Sequence, residues 1–165
     1  RAAVKKLEPV SELIRQGLKE MRQSVHMLYE QTVELSLYSS LIKLIQDTEK
    51  HAGVVVEHAI EPIALPLPPE QEKLIYRALQ EGITNGIRHG RSRRFRFELK
   101  QSGPSIRFML ENDGLPYKPG TFGLGLSSIK EQTERWQGAF RIEASSAADS
   151  TSGCRLSITL PIPRS

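Results

Sequence analysis

A single cysteine, Cys154, in 165 residues excludes an internal disulfide and fits a reducing compartment. No run approaches the roughly 20 apolar residues that cross a bilayer. No stretch has the make-up of a signal peptide, and no repeat or low-complexity segment interrupts the pattern. Aromatic residues are scarce, at 6% with one tryptophan. What is present is 38% hydrophobic and 25% charged, the balance of a soluble globular protein, with cytoplasmic location as the default. The length suits one compact domain with room for an appended segment, since single cores serve about 100 to 200 residues.

The formal charge of +4 is modest, but five of the 23 basic residues, Arg88, Arg91, Arg93, Arg94 and Arg96, fall within nine positions. A local positive potential suits phosphate groups; a solvated arginine face is the alternative. A nucleic-acid binder would use the same cluster and lose affinity steeply with salt. Few aromatics accompany these arginines and no recognition helix is evident, so no nucleic-acid partner is expected.

Hydrophobic spacing organises the chain. Leu7, Val10, Ile14, Met21, Val25 and Leu28 recur at near-heptad spacing and Pro9 suits a first helical turn, so residues 1 to 32 read as a helical stalk. Leu37, Leu41, Leu44 and Ile45 predict a helix ending before Gly53, and Val54, Val55 and Val56 a short strand. Four prolines between Ile60 and Glu70 predict a surface connector. Glu70 to Gly90 predicts a helix that buries Leu74, Ile75, Ala78, Leu79, Ile83 and Ile87. Phe95, Phe97 and Leu99, then Ile106, Phe108 and Leu110, alternate on either side of Gln101-Ser102-Gly103-Pro104 as a hairpin. Leu124 to Gln137 is helical by pattern. Phe140 with Ile142, and Leu156, Ile158 and Leu160, supply two further strands, with a small-residue loop from Ala144 to Gly153 between them. This order predicts an α+β fold: one largely antiparallel sheet with its helices on one face.

Chemistry concentrates in three places. In EGITNGIRHG, Glu81 and Asn85 stand one helical turn apart, and Arg88 and His89 follow within another, making one polar stripe. Magnesium favours hard oxygen ligands and keeps several waters, so the Asn85 carboxamide with phosphate oxygens makes a reasonable shell, Glu81 ordering a metal-bound water. The second place is Asn112-Asp113-Gly114, directly after a strand, where glycine permits a tight turn and the two side chains can hydrogen-bond a base edge. The third is GLGL, Gly123, Leu124, Gly125 and Leu126, opening a helix whose unpaired amides and positive dipole end suit an anion, with Ser127 and Ser128 as further donors. Taken singly, these read equally as a solvated helix face, a turn and a helix start.

In this order the motifs resemble the ATP-binding catalytic domain of sensor histidine kinases, in the superfamily shared with gyrase and MutL, over about residues 35 to 162. QEGITNGIRHG is similar to the QEALTNALRHA pattern of the subfamily that pairs with NarL-type response regulators, and GLGLSSIKEQTERWQG to its GHGLxGMRERxxxxGG pattern. The resemblance implies a Bergerat-type ATP-binding fold: a two-layer sandwich of a mostly antiparallel mixed sheet with helices on one face, over residues 33 to 165. It implies that residues 1 to 32 are the end of a dimerisation module.

Residue by residue, the resemblance implies that Asn85 is the metal-binding asparagine with Glu81 as its acidic partner. Arg88 and His89 border the phosphates, Gly114 belongs to the DxGxG box, Gly123 and Gly125 form the second glycine box, and Gly153 lies in the final turn. The aspartate that normally accepts the adenine amino group falls at Asn112, and the second glycine of its box at Pro116. The carboxamide of Asn112 retains an acceptor oxygen, so adenine recognition through a neutral bond and weaker nucleotide binding are expected. Leu115 to Phe122 would form a short lid.

Neither His26, His51, His58 nor His89 has the RELHD-like context of a phosphoacceptor. The expectation is therefore a catalytic fragment that binds ATP and Mg2+ and passes a phosphoryl group to a histidine upstream. Its partners would be its own dimerisation helices, a second copy in the full-length protein and a NarL-type regulator. The alternative is an interaction module of the same fold that captures a regulator without kinase activity.

Overall fold

In the computed structural model, residues 36–114, 123–144 and 153–164 are described. The helical stalk and the boundary expected at residue 32 lie outside them, as do Pro116, the lid from Leu115 to Phe122 and most of the loop before Gly153.

Leu37, Leu41 and Ile45, spaced four apart and buried, make the inner stripe of helix α1 (Leu37–Ala52). Helix α2 (Pro69–Arg88) begins with a proline where a missing amide hydrogen is harmless, and Glu70 and Glu72 place negative charge at its positive end. It buries Leu74, Ile75, Ala78, Leu79 and Ile83, as the spacing predicts. Helix α3 (Leu124–Arg135) stops two residues short of the expected Gln137. Gln137 takes a positive φ of 61°, and the Gly138 amide turns back to the Thr133 carbonyl.

Strands β1 (Val55–Ile60), β2 (Arg94–Ser102), β3 (Ser105–Asn112), β4 (Ala139–Ala144) and β5 (Cys154–Pro161) form one sheet in the order β1-β2-β3-β5-β4. β1 runs parallel to β2 and every other pairing is antiparallel. The mixed, largely antiparallel sheet of the α+β expectation is therefore present. β1 is longer than Val54 to Val56 because its backbone pairs with β2 as far as Ile60 and Leu99, through residues with no apolar alternation. Of the connector expected from Ile60 to Glu70, only residues 61–68 lack regular structure, the ends belonging to β1 and α2; Ile63 and Leu67 pack on the core and the Ala64 amide donates to Gln101 Oε1 at 2.9 Å.

Alternation divides the sheet into two faces. Phe95, Phe97, Leu99, Ile106, Phe108, Leu110, Leu156, Ile158 and Leu160 are all buried beneath the helices, with Phe97 and Phe108 edge to face at 5.1 Å. The other face is polar. Pairing register aligns Glu57, Arg96, Glu111, Arg155 and Glu143 in one row across all five strands, with alternating charge. Arg155 Nε donates to Glu111 Oε1 at 2.6 Å within it. Cross-strand opposite charges stabilise a solvated face by roughly 0.2 to 1 kcal/mol per pair, so this layer needs no cover.

Candidate functional site

The apolar face of α2 changes character towards its end. Where Leu74, Ile75, Ala78 and Leu79 present side chains to the sheet, positions 82 and 86 are glycine. A β-carbon at Gly82 would stand 2.5 Å from Leu110 Cδ2, and one at Gly86 2.6 Å from the Phe95 ring and 2.8 Å from Asn112 Nδ2. Helix and sheet therefore approach closely, and the polar residues between the glycines are held against the domain. Asn85 is only 7% exposed, and its carboxamide has no hydrogen-bond partner among the described residues. The one side-chain atom among the described residues that is both fully buried and unpaired is Gln71 Oε1, so the Asn85 carboxamide keeps a path to solvent and is open to a ligand.

Glu81, one turn earlier and half-buried, meets the mouth of α3. A β-carbon at Gly125 would lie 2.2 Å from Glu81 Oε2, so the glycine leaves room for the Glu81 carboxylate in this position. Gly123 is the N-cap, extended and exposed, with no side chain closing the first turn. Leu124, Gly125 and Leu126 form that turn. Leu126 is 1% exposed and packs inward, whereas Ser127 faces outward. The carboxylate of Glu81 thus sits at the positive end of α3, with Asn85 the next residue along the same stripe.

Arg88 and His89 finish α2 and are exposed, the His89 amide donating to the Asn85 carbonyl at 2.9 Å. The arginines clustered in sequence do not form one patch. Arg94 and Arg96 alternate with buried Phe95 and Phe97 and so lie on the open face of the sheet, Arg96 pairing with Glu98 at 2.9 Å, while Arg88 ends a helix in the opposite layer.

The turn at Asn112-Asp113-Gly114 packs on the end of α2. Gly114 has a φ of 99°, and a β-carbon there would lie 2.1 Å from the Gly90 carbonyl oxygen. Both the backbone angle and the contact demand glycine. Asp113 does not face a base edge through Oδ1, which accepts the Arg93 and Arg94 amides at 2.8 and 3.0 Å, while the Ser92 hydroxyl donates to the Asp113 carbonyl at 2.5 Å. Its carboxylate ties the turn to the start of β2. Asn112 Oδ1, the oxygen expected to meet adenine, accepts the Cys154 amide at 2.9 Å. Gly153 fits because a β-carbon there would overlap the Asn112 carbonyl.

A cavity of about 10 Å³, room for about one water, is lined by Asn112 with Gly82, Leu110, Leu126, Ile142, Cys154 and Leu156. A purine fits only if these side chains draw apart. An open groove of about 510 Å³ lies elsewhere between α2 and α3, lined by Lys73, Arg77, Gln132, Arg135, Trp136 and Glu70, and contains no predicted site residue.

Glu81, Asn85 and the glycine-opened mouth of α3 thus converge, with Asn112 beside Gly86. Sequence reasoning missed Leu110, Ile142 and Leu156 as cavity walls and left Cys154 without a role. Their signal was the pairing of Asn112 with Cys154 in the sheet, which no local pattern discloses. Among the described residues no three His, Cys, Asp or Glu cluster as a metal-binding set, and a magnesium ion held by one carboxamide and phosphates needs none. No helix among them is long and apolar enough to cross a membrane.

No protein-family model matches the sequence. Two sensor histidine kinases of Bacillus subtilis (strain 168) are similar to it: LnrJ, 30% identical over 80% of this chain and 33% of its own length, and YxjM, 27% identical over 96% and 38%. The Salmonella typhimurium histidine-protein kinase/phosphatase UhpB is 26% identical over 78% of this chain and 25% of its own. The chain therefore spans about a third of the length of the curated relatives it matches. Among solved structures, the catalytic domain of histidine kinase ThkA shares the fold with a TM-score of 0.60 at 15% identity, over 76% of this chain and 91% of that one. Acinetobacter baumannii histidine kinase AdeS does so with a TM-score of 0.60 at 15% identity, over 97% and 84%. Sequence similarity over one segment and the fold of that segment agree: the chain is similar to sensor histidine kinases and shares the fold of their catalytic domains.

Proposed function

We propose that this chain binds Mg-ATP and, in the intact protein, transfers the γ-phosphoryl group to a histidine upstream of it, for relay to a NarL-type response regulator. The observation that carries this reading is the carboxamide of Asn85, on a residue 7% exposed and without a partner among the described residues, beside Glu81 at the open mouth of α3. An oxygen donor without a partner, next to a carboxylate and beside helix amides that favour anions, suits a magnesium triphosphate. Magnesium, held by Asn85, would neutralise phosphate charge there.

The chain's own residues do the rest. Asn85 offers its carboxamide oxygen to the metal, Glu81 orders a water beside it, and the amides after Gly123 receive phosphate oxygens. Exposed Arg88 and His89 add positive charge at the end of α2. Phosphoryl transfer asks mainly for positioning and charge stabilisation, so no nucleophile is required here. The acceptor nitrogen forms its bond to the γ-phosphorus as the bridging β-γ bond breaks, and ADP leaves.

Calorimetry with Mg-ATP tests this. Binding is expected for the wild type, and Asn85→Ala should weaken it by about a hundredfold, the upper range for altering a metal site. The narrow cavity favours a second reading, a regulator-capturing module without nucleotide. Absence of heat at millimolar Mg-ATP, with the fold intact by circular dichroism, would overturn the nucleotide reading and favour that alternative.

A further inference from the structure

We infer that the groove between α2 and α3 is a docking site for an acidic, extended peptide segment of a partner protein, independent of nucleotide binding. One wall is a single face of α2, with Glu70, Lys73 and Arg77. The other is the end of α3, with Gln132 and Arg135, and Trp136 just beyond it. The groove holds about 510 Å³, within the range of binding sites.

The charges on these walls are not neutralised within the domain. Lys73 and Arg77 stand one helical turn apart, where like charges repel. Neither makes a hydrogen bond or an ion pair among the described residues, although Glu70 shares their face. Arg135 holds Glu131 at 2.8 Å through a side chain 72% exposed, a contact weak enough in water to exchange for another carboxylate. Trp136 is the only tryptophan of the chain. It is partly buried, packing on the core while it lines the groove. An accessible indole among cations is the make-up of an interaction hot spot.

Charge complementarity and spacing choose the occupant. The helical rise puts the backbone positions of Lys73 and Arg77 about 6 Å apart along α2, and alternate residues of an extended chain stand about 6.6 Å apart on one face. Two carboxylates so placed meet the two cations, and an apolar neighbour on the same face covers the indole. The Glu70 carboxylate beside the cations opposes an unbroken row of phosphates. It admits a segment whose acidic residues are separated by uncharged ones.

The test follows Trp136 fluorescence in the 165-residue chain during titration with the end-blocked peptide Leu-Ser-Glu-Ser-Glu-Ser-Leu, which sets its glutamates and leucines on one face. A saturable blue shift below millimolar peptide is expected as leucine covers the indole, and added salt should weaken it. Lys73→Gln combined with Arg77→Gln should weaken binding by about tenfold, the worth of two partly screened ion pairs. Because neither side chain has a partner, that variant should keep its fold by circular dichroism. The wild type alone can overturn the inference, by no saturable change at millimolar peptide or by an equal response to the same peptide with lysine for glutamate. An equal response to inorganic phosphate overturns it as well, since the groove is then a site for small anions. So does undiminished peptide binding by the folded double variant.

Discussion

The two halves of α2 share one hydrophobic stripe and do opposite work. From Gln71 to Leu79 the stripe is filled with side chains that anchor the helix to the sheet, whereas from Glu81 to Arg88 glycines take the inward positions and a polar series lies between them. The first half puts its free energy into packing. The second gives up that packing, at Gly82 and Gly86, and leaves the Asn85 carboxamide without a partner among the described residues. A helix anchored at one end can carry an internally unfavourable arrangement at the other, which is how strained or unpaired groups persist at functional sites.

That contrast can be broken from the anchored end first. Leu79→Ala should cost about 3 to 4 kcal/mol in urea unfolding, since the residue is fully buried and its loss leaves a cavity, while nucleotide affinity of the folded fraction stays unchanged. Gly86→Ala drives a methyl into the Phe95 ring. It should cost about 2 kcal/mol despite alanine's better helix propensity. Asp113→Ala strands the Arg93 and Arg94 amides, and a loss of about 1 to 2 kcal/mol in the same assay is expected, with weaker nucleotide binding because the turn carrying Asn112 loosens. Asn85→Ala should change stability by less than about 0.5 kcal/mol in either direction, although it has the largest effect on binding. A large stability loss there would mean the side chain belongs to the core and would erase the distinction between the halves.

How much of this was legible in the sequence differs with the range of the interaction. Local rules found the α2 stripe, the hairpin around Gly103-Pro104 and the inward rows of β2, β3 and β5, because period and turn chemistry act over a few residues. They also singled out Glu81 and Asn85 as a polar stripe and Gly123 as a helix mouth, but not that Glu81 meets Gly125. The placement of β5 between β3 and β4 was illegible: it depends on pairing residues some forty positions apart, as in Asn112 with Cys154. The backbone partners of Asn112 and Asp113 were missed for the same reason. Their side chains are bound to backbone amides of β5 and β2, partners that only the assembled sheet supplies. β1 was shortened because parallel backbone pairing, and not alternation, defines its length.

The row of charges on the open face has a consequence for how copies of this domain meet. Its outermost members, on β1 and β4, are Glu57 and Glu143. Any two molecules that tried to extend the sheet by joining their free strands along that line would bring glutamate against glutamate, whichever rims they used. Repulsion at both margins discourages fibre-like growth, and leaves the domain to associate through surfaces other than its exposed backbone.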